Sequence, residues 1–517
     1  MIRGYEAQAV REAEAPLLEA DEPLMLRAAR TLADHVAMHL RDTAGERAGR
    51  AARVLVLAGA GANGGDGLHA AALLRREGVA ADAITTADHL HAQGAAALRA
   101  AGGTLTALAD TTPGMLEERL ADTTLVLDAI LGLGGRPEVP EALAPLLAAV
   151  RGSGVPVIAV DLPSFVDATT GRAAPETLAA DATVSFGAFK AGLLLPGGAE
   201  RAGALHLVDI GLSPHLHAAP SVLRLEDADV QQLLPRPDRD ASKYTRGVVA
   251  VAAGSDQFPG AAVLTVSGAA RTGAGMVRGL APQQVLDLVL AERPEVVGHR
   301  IERADGGPHA IDLDAVGRTD ALVVGPGLAV DDPRARCGVD LLRSDRTDEE
   351  SDARPGIDRG VLDAGALSAL TDAHRFGPDV VLTPHRGEAE RLAARLDLDP
   401  QLPGARLAPA LARATGATVL LKGAVTLIAP GDCGPLRAQD DATPQLATAG
   451  TGDVLAGVLG TLLAAGLSGP DAATVAAILH GRAGRLASHG GLRPLVALDV
   501  AVHLPETIGT ILAGARS

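Results

Sequence analysis

Short apolar segments alternate with helical stretches in two successive series along this chain of 517 residues. In the first series, the predicted strands are 53–60, 83–86, 104–108, 125–128, 155–160, 183–186 and 205–209. In the second series, they are 248–253, 321–324, 360–363, 380–382 and 418–421. Strands of this kind, separated by helices, predict parallel sheets that are covered by helices on both faces. Because the two series share no obvious repeat, we expect two different α/β domains.

The alternation breaks within residues 213–244, where prolines accompany the polar run 236–242. A chain of this length is too long for a single hydrophobic core, and such a break is typical of a domain boundary. We therefore predict a Rossmann-like, doubly wound domain at 1–215 and a second α/β domain at 222–517. The charged tract 343–359 is predicted to be a solvated loop insertion in the second domain.

Composition excludes several classes of partner and site. The formal net charge of −17 argues against nucleic acid or an anionic membrane as the main partner. No apolar run reaches the roughly 18 residues that a membrane span needs, and the N-terminus lacks the basic and apolar regions of a signal peptide. Cys337 and Cys433 stand alone, which argues against a disulfide framework or a cysteine metal site. We therefore expect a cytoplasmic protein.

A glycine-rich segment follows the first predicted strand. Gly59, Gly61 and Gly64 formally satisfy the G-x-G-x-x-G pattern of dinucleotide-binding loops. The acidic residue expected at the end of the second strand is missing, because Asp82 precedes that strand and Asp88 follows it. The pattern alone is a weak signal in a glycine-rich chain, and it does not favour an ordinary dehydrogenase.

Oxygen-bearing side chains recur at the ends of the first-series strands. They are Asn63 and Asp66 within the glycine segment, Asp128, and the pair Asp161 and Ser164. A lone aspartate there is often a helix cap or turn residue, but several together indicate a site, because the carboxyl ends of parallel strands line the ligand crevice. Oxygen ligands without histidine or cysteine suit a hard cation.

The first half resembles the NAD(P)H-hydrate epimerase family over about residues 1–215. The resemblance rests on 63–67, on the segment around Asp128, on 161–167 and on 186–197. It implies interconversion of R- and S-NAD(P)HX and a bound potassium ion, with Asn63, Asp128 and Ser164 as the ligands. The substrate positions that it implies are Ala62, Asn63, Gly64, Gly65, Asp66, Gly132, Leu133, Gly134, Gly135, Arg136, Pro137, Glu138 and Asp161.

Lysine is scarce, since only Lys190, Lys243 and Lys422 occur among 46 basic residues. All three stand beside glycine-rich motifs, which favours positions where a compact ammonium group matters. Our hypothesis is that Asp161 and Lys190 handle the proton and hydroxyl traffic at C6 of the hydrated nicotinamide ring. Phe165 departs from the family, which usually has glycine there, and its bulk is expected to affect the pocket or resist a positive φ.

The segment Gly450-Thr451-Gly452-Asp453 runs directly into an apolar helix. Glycines at a helix start let backbone N–H groups surround an anion, and the helix dipole favours negative charge there. An aspartate at this place is suited to take a proton from the group that attacks a phosphate. The segment therefore predicts phosphoryl chemistry, although the P-loop pattern G-x-x-x-x-G-K-[ST] is absent.

The second half resembles the ADP/ATP-dependent NAD(P)H-hydrate dehydratases, a branch of the ribokinase-like enzymes, over about residues 222–517. The motifs that carry the resemblance are 243–247, 258–262, 325–327, 383–388, 422–426 and 448–457. It implies ADP-dependent dehydration of S-NAD(P)HX, with Mg²⁺ bridging the phosphates and Asp453 as the base. The implied hydrate pocket is lined by Ala262, Gly327, His385 and Asp453. The implied nucleotide-binding residues are Lys422, Gly423, Ala424, Val425, Thr426 and Gly452.

Small departures and two alternatives accompany this interpretation. Arg386 stands where proline is common, and Ser368 where asparagine is usual. The first alternative is a ribokinase-like small-molecule kinase with an accessory nucleotide-binding domain. In the second, the N-terminal domain only binds nucleotides or partners. The choice between ADP and ATP stays open, as does homo-oligomerisation, and we expect small-molecule ligands without nucleic acid or membrane.

Overall fold

The computed structural model describes residues 1–20, 22–43, 51–301, 311–344 and 357–514. The chain forms two compact units, Ile2–Val222 and Leu223–Ser517, and Met1 belongs with the second. The change of unit at Val222 lies next to the predicted boundary. Within the predicted insertion 343–359, residues 345–356 lie outside the described residues.

The N-terminal unit alternates strands with helices. Its strands are β1 (Ile2–Tyr5), β2 (Arg53–Ala58), β3 (Ala80–Thr85), β4 (Leu105–Ala107), β5 (Leu125–Ala129), β6 (Val157–Val160), β7 (Ala182–Phe186), β8 (Phe189–Lys190) and β9 (Ala204–Val208). Its helices are α1 (Ala7–Glu19), α2 (Leu24–Thr43), α3 (Ala62–Arg76), α4 (Ala92–Ala100), α5 (Pro113–Asp122), α6 (Ala144–Ser153) and α7 (Ala199–Ala202). All seven strands predicted for this half are present, while β1 and β8 were missed.

The main sheet of this unit has the order β4-β3-β2-β5-β6-β7-β9, and every neighbouring pair is parallel. One apolar cluster, which includes Leu32 and Leu68, and another, which includes Leu57, Leu146 and Phe165, bury its faces. The strand order reverses between β2 and β5. Ligands bind at such a reversal, outside the carboxyl ends of the strands. The glycine segment after β2 and Asp128 on β5 therefore share one crevice.

The C-terminal unit repeats the alternation with other elements. Its strands are β10 (Val222–Arg224), β11 (Val248–Ala252), β12 (Met276–Ala281), β13 (Val297–Arg300), β14 (Ala321–Val324), β15 (Gly360–Leu362), β16 (Val380–Leu382), β17 (Thr418–Leu421), β18 (Thr426–Ala429) and β19 (Leu436–Gln439). Its helices are α8 (Asp227–Leu233), α9 (Gly260–Thr272), α10 (Gln283–Glu292), α11 (Leu313–Val316), α12 (Pro333–Leu342), α13 (Gly365–Ser368), α14 (Arg386–Arg395), α15 (Gly404–Thr415), α16 (Thr451–Ala464), α17 (Gly469–Ala487) and α18 (Ala497–Ala513).

The sheet of this unit runs β13-β12-β11-β14-β15-β16-β17-β18-β19. It is parallel from β13 to β17, and β18 and β19 add an antiparallel hairpin. The five predicted strands are present, and β10, β12, β13, β18 and β19 were missed. The predicted apolar helix is α16, which is almost wholly buried within the main apolar cluster of the unit. Among the described residues, no helix is long and apolar enough to cross a membrane.

Candidate functional sites

A cavity of about 390 Å³ lies at the carboxyl edge of the N-terminal sheet. The predicted residues that line it come from the loop and first turn of α3, the segment after β5 and the end of β6. They are Ala62, Asn63, Asp66, Gly132, Leu133, Gly134 and Asp161. The fold thus joins three separate motifs at one concave surface, as expected of a ligand site.

Asp161 lines this cavity and forms a buried ion pair with Lys190, which lies behind the lining. Lys190 also donates to the Oγ of Ser185 at 3.2 Å and to the carbonyl of Phe186 at 3.0 Å. The backbone N–H of Phe186 donates to Oδ1 of Asp161 at 3.1 Å. Asp161 has φ +66°, a left-handed conformation that aspartate tolerates better than most residues. The pair is therefore held in a single geometry by the surrounding backbone.

Two further carboxyl groups face the cavity. Asp66, in the first turn of α3, is buried, and its Oδ1 has no hydrogen-bond partner among the described residues. Burial raises the pKa of Asp66 well above its ordinary value, and the nearby charges of Asp161 and Glu14 add to this. Burial likewise raises the pKa of Glu14, which lies on α1. The cavity therefore combines an ionised pair with carboxyl groups that retain protons more readily.

The predicted cation ligands Asp128, Ser164 and Asn63 are all buried. Ser164 donates to Asp128 through its Oγ at 2.5 Å and through its backbone N–H at 2.9 Å. Burial raises the pKa of Asp128, and hydrogen bonds from Ser164 and Ile130 oppose the rise. The groups that donate to Asp128 are neutral. Among the described residues, the buried carboxylate of Asp128 therefore has no cationic hydrogen-bond partner. The donor chemistry fits a hard cation.

The remaining predicted substrate positions do not reach the cavity surface. Among the described residues, Gly64 and Gly65 lie inside the first turn of α3, behind the lining. Gly135 closes a turn by donating to the carbonyl of Gly132 at 2.8 Å. The residues that follow this turn are half-buried or exposed outside the lining, and they are Arg136, Pro137 and Glu138.

Phe165 points away from this cavity. Its side chain is 2% exposed and lies in the apolar cluster with Leu57 and Leu146, and it does not contribute to the lining. Its φ is +70°, so the phenylalanine adopts the conformation that a glycine would take without strain. The departure from the family pattern therefore adds to the apolar core, and Phe165 adopts the positive φ that its bulk was expected to resist.

We expect Phe165→Gly to lower the free energy of unfolding by about 2–4 kcal/mol. Loss of a buried phenyl group costs about 3–5 kcal/mol, and relief of the positive φ returns about 1 kcal/mol. Chemical denaturation measures the change, with Phe165→Leu as the control that keeps most of the apolar volume. A more stable glycine variant would mean that backbone strain outweighs packing at this position.

The C-terminal site is built around the start of α16. Gly450 has φ +90° and precedes the helix, and Asp453 lies in the first turn. Burial raises the pKa of Asp453 to about 7; the charge of Asp363 adds to the rise, and Lys422 opposes it. A carboxylate with this pKa is poised to exchange protons near neutral pH. The structure thus places a carboxyl group with a raised pKa beside the predicted anion cradle.

Lys422 connects the neighbouring elements. Its Nζ lies 2.9 Å from Oδ1 of Asp363 at the end of β15 and 4.0 Å from Oε2 of Glu388 in α14. A side chain on Gly452 would come within 3.4 Å of this Nζ. The ammonium group therefore sits beside the helix start that carries Asp453. Burial is the largest single effect on the pKa of the Lys422 ammonium group, and it lowers that pKa. The charges of Asp363 and Glu388 act against burial, and the pKa is raised overall.

His385 and Thr426 flank this centre. His385 pairs with Lys422 through a backbone bridge, and its exposed ring accepts the N–H of Gly387 through Nδ1 at 3.1 Å. Thr426 begins β18 and donates through Oγ1 to the carbonyl of Gly423 at 3.4 Å. Between them, the turn from Lys422 contains the predicted nucleotide-binding residues Ala424 and Val425.

The two other predicted hydrate-pocket residues lie next to each other. The carbonyl of Pro326 accepts the N–H of Gly254 at 2.8 Å, which ties the 325–327 turn to the segment after β11. A side chain on Gly254 would come within 2.8 Å of the Cβ of Ala262. A side chain on Gly327 would come within 3.2 Å of the Cα of Gly254, so Gly327 and Ala262 both pack against Gly254 near the start of α9.

Comparison with known proteins shows the family. The model for NAD(P)H-hydrate dehydratase matches residues 249–503, and that for the YjeF-related protein N-terminus matches residues 21–192. The bifunctional NAD(P)H-hydrate repair enzyme Nnr of Mycobacterium tuberculosis (strain CDC 1551 / Oshkosh) is 40% identical over 480 residues, covering 91% of this chain and 90% of that protein. This chain belongs to the bifunctional NAD(P)H-hydrate repair enzymes.

Other members of this repair-enzyme family and a solved structure are also similar. The Nnr protein of Mycobacterium leprae (strain TN) is 40% identical, covering 94% of each chain. The crystal structure of ADP/ATP-dependent NAD(P)H-hydrate dehydratase from Bacillus subtilis, co-crystallised with ATP/Mg²⁺, is 29% identical. It covers 55% of this chain and 97% of that chain, with a TM-score of 0.47. The family assignment and the fold class, a Rossmann-like and a ribokinase-like α/β domain, are confirmed.

Several residues that the fold brings to the two sites of this repair enzyme were not predicted from the sequence. Arg11 and Glu14 reach the N-terminal cavity from α1, and Glu388 lies beside Lys422. His480 is buried on α17, where its Nε2 donates to the carbonyl of Thr451 at 2.9 Å. Burial lowers the pKa of His480 to about 4, so the ring is neutral at physiological pH. Only Glu388 lies within a recognised motif; the others had no signal beyond their residue type.

Proposed function

We propose that this enzyme repairs hydrated nicotinamide nucleotides in two steps. The N-terminal unit interconverts the R and S epimers of NAD(P)HX, and the C-terminal unit dehydrates the S epimer to NAD(P)H while ADP is converted to AMP and phosphate. The observation that carries the proposal is Asp453 in the first turn of the helix that follows Gly450, beside the ammonium group of Lys422. Family membership supports both activities.

Phosphoryl transfer solves the chemical problem of the dehydration. Hydroxide is a poor leaving group and phosphate is a good one. Asp453 accepts the proton of the C6 hydroxyl group while that oxygen attacks the terminal phosphoryl group of ADP, and AMP leaves. The ring nitrogen then assists the departure of phosphate from C6, and loss of a proton from C5 restores the dihydropyridine. The N–H groups around Gly452 stabilise the charge on the transferred group.

The nucleotide is proposed to bind along Lys422 to Thr426 and against Gly452. Lys422 offers a point charge to the phosphates, and the hydroxyl of Thr426 offers a hydrogen bond. Mg²⁺ is proposed to bind through the phosphates. Among the described residues, no cluster of three histidine, cysteine or acidic side chains is arranged to hold a metal ion alone, which suits a metal that arrives with the nucleotide.

Epimerisation requires that the C6–O bond breaks and forms again on the other face of the ring. The ring nitrogen supplies its lone pair as water leaves, and water adds back to the iminium carbon. Asp161 and Lys190 are proposed to transfer the protons in these two steps, because Asp161 lines the cavity and Lys190 is paired with it.

Potassium is proposed to bind to oxygen atoms of Asn63, Asp128 and Ser164. When bound, it supplies a positive charge that balances the Asp128 carboxylate and orders the loops on either side of the cavity. Its role is structural and electrostatic, and the proton transfers stay with Asp161 and Lys190.

We expect Ser164→Ala to raise the potassium concentration needed for half-maximal epimerisation at least about tenfold, since the change removes a ligand and a hydrogen bond to Asp128. Initial rates over a potassium series, at constant ionic strength with tetramethylammonium, measure this. Ser153→Ala, an exposed serine on α6, is the control. Epimerisation by the wild type that does not respond to potassium would rule out the cation site.

The full chain tests the proposed function directly. NADHX is incubated with ADP or ATP, and the recovery of dihydropyridine absorbance is followed with and without potassium. Pure R epimer without nucleotide, separated from S by chromatography, isolates the epimerase step. We expect NADH to form only with a nucleotide, and the R epimer to be converted without one. A small-molecule kinase would leave NADHX unchanged.

A further inference from the structure

Asp363 is a buried carboxylate beside the dehydratase site, and the family motifs assign it no role. It follows β15 and is 2% exposed. Its Oδ1 accepts two hydrogen bonds of 2.9 Å, one from Nζ of Lys422 and one from Oγ1 of Thr383. A carboxylate that joins the proposed nucleotide lysine to a second strand end is placed to act on the site.

The backbone holds Asp363 tightly. Its N–H donates to the carbonyl of Val324 at 3.1 Å, and the next residue, Ala364, has a φ of +44°. Gly325 packs so closely that a side chain there would lie 1.8 Å from the carbonyl oxygen of Asp363. Strained backbone persists where the surrounding structure determines it, and it is frequent at functional sites. The carboxylate can therefore set the position of a flexible lysine.

The charges around Asp453 are unbalanced. The charge of Asp363 raises the pKa of Asp453, and the charge of Lys422 lowers it. Glu388 lies 4.0 Å from Nζ of Lys422. His480 is neutral beneath the helix start. One ammonium group thus faces three carboxyl groups, and the negative charge of Asp363 disfavours ionisation of Asp453.

We propose that Asp363 is a positioning residue of the dehydratase: it holds the ammonium group of Lys422 beside Gly452, and its charge tunes the proton affinity of Asp453. This inference rests on the proposed function. Asp363 is buried, so it is placed to act through its neighbours. It acts through Lys422 on nucleotide binding and through its charge on the base.

The pH profile separates this role from a purely structural one. Dehydration needs ionised Asp453, so kcat/KM for NADHX rises with pH through the pKa of that carboxyl group, which is about 7. Asp363→Asn removes a negative charge but keeps an oxygen for Thr383. We expect the acidic limb of the profile to move to lower pH by about one unit. We also expect the KM for ADP to rise about tenfold, because Lys422 loses its charged partner.

Two matched variants separate charge from position. Thr383→Val removes a hydrogen bond to Asp363 without changing any charge, so the acidic limb is expected to stay in place. Asp363→Glu keeps the charge and displaces it, so the KM for ADP is expected to rise while the limb moves little. If Asp363→Asn does not fold, Lys422→Gln replaces it. Removal of the cation leaves Asp363 unopposed, and the limb is expected to move to higher pH.

Several results would overturn the inference. If folded Asp363→Asn has an unchanged acidic limb, Asp363 has only a structural role. The same conclusion follows if the acidic limb of Lys422→Gln does not move to higher pH. A greater Mg²⁺ requirement with an unchanged limb would show that Asp363 serves the metal instead. Failure of the wild type to dehydrate NADHX would instead remove the proposed function, and these results are therefore distinguishable.

Discussion

Asp453→Asn is expected to lose dehydration of S-NADHX by roughly 10²–10⁴-fold, the usual contribution of a positioned base. The amide keeps the shape of the side chain and cannot accept the hydroxyl proton. Single-turnover rates of NADH formation at saturating ADP measure the loss. Asp287→Asn, an exposed aspartate on α10, is the control, and epimerisation of the R epimer should be unchanged. Wild-type turnover in this variant would contradict the assignment of the base.

The same substitution is expected to stabilise the C-terminal unit at alkaline pH. The pKa of Asp453 is raised in the folded state to about 7. Its contribution to stability is therefore present below its unfolded pKa, 3.8, and is lost as the pH rises through about 7. Asparagine removes this penalty, which amounts to at most about 4 kcal/mol at pH 8. Thermal melts at pH 5 and pH 8 measure it, and equal shifts at both values would argue against the raised pKa.

Lys190→Met is the second large expected effect. It leaves the buried carboxylate of Asp161 without its cation, and breaking a buried pair in this way costs about 3–5 kcal/mol. Epimerisation of pure R-NADHX is expected to fall by about 10²-fold or more, because the proton-transfer pair is broken. Denaturation curves and epimer chromatography on the full chain measure the two effects.

The double variant Asp161→Asn/Lys190→Met separates stability from chemistry. It contains no unpaired charge, so most of the lost stability should return, while epimerisation should stay lost. Full epimerisation by either variant would contradict the proposed role of the pair in proton transfer. Recovery of activity together with stability would mean that the pair only maintains the fold.

The buried strands were predictable because both of their faces are apolar. β2, β5, β11 and β14 read as continuous apolar runs, which is the signature of a parallel sheet covered on both sides. Among the missed strands, β13 lacks this pattern. β13 is largely exposed and contains a glycine and a histidine, so its sequence does not differ from that of a loop.

The glycine motifs indicated the two sites because their chemistry is local. A loop such as Gly450–Asp453 carries its anion-binding N–H groups and its carboxylate within four residues. Asp363 had no such signal, since its partners Thr383 and Lys422 lie 20 and 59 residues away along the chain. The sequence did not indicate where the side chain of Phe165 lies, because only the packed structure places it in the apolar cluster with Leu57 and Leu146.

By itself, the sequence determined the alternation of strands and helices in two domains, the glycine loops and the family to which the chain belongs. These properties depend on short-range patterns of apolar residues and on backbone freedom at a few positions. The tertiary structure alone decided which charges face each other. The raised pKa of Asp453 and the burial of Lys190 against Asp161 arise from desolvation and from Coulomb forces between distant segments, and no local pattern encodes them.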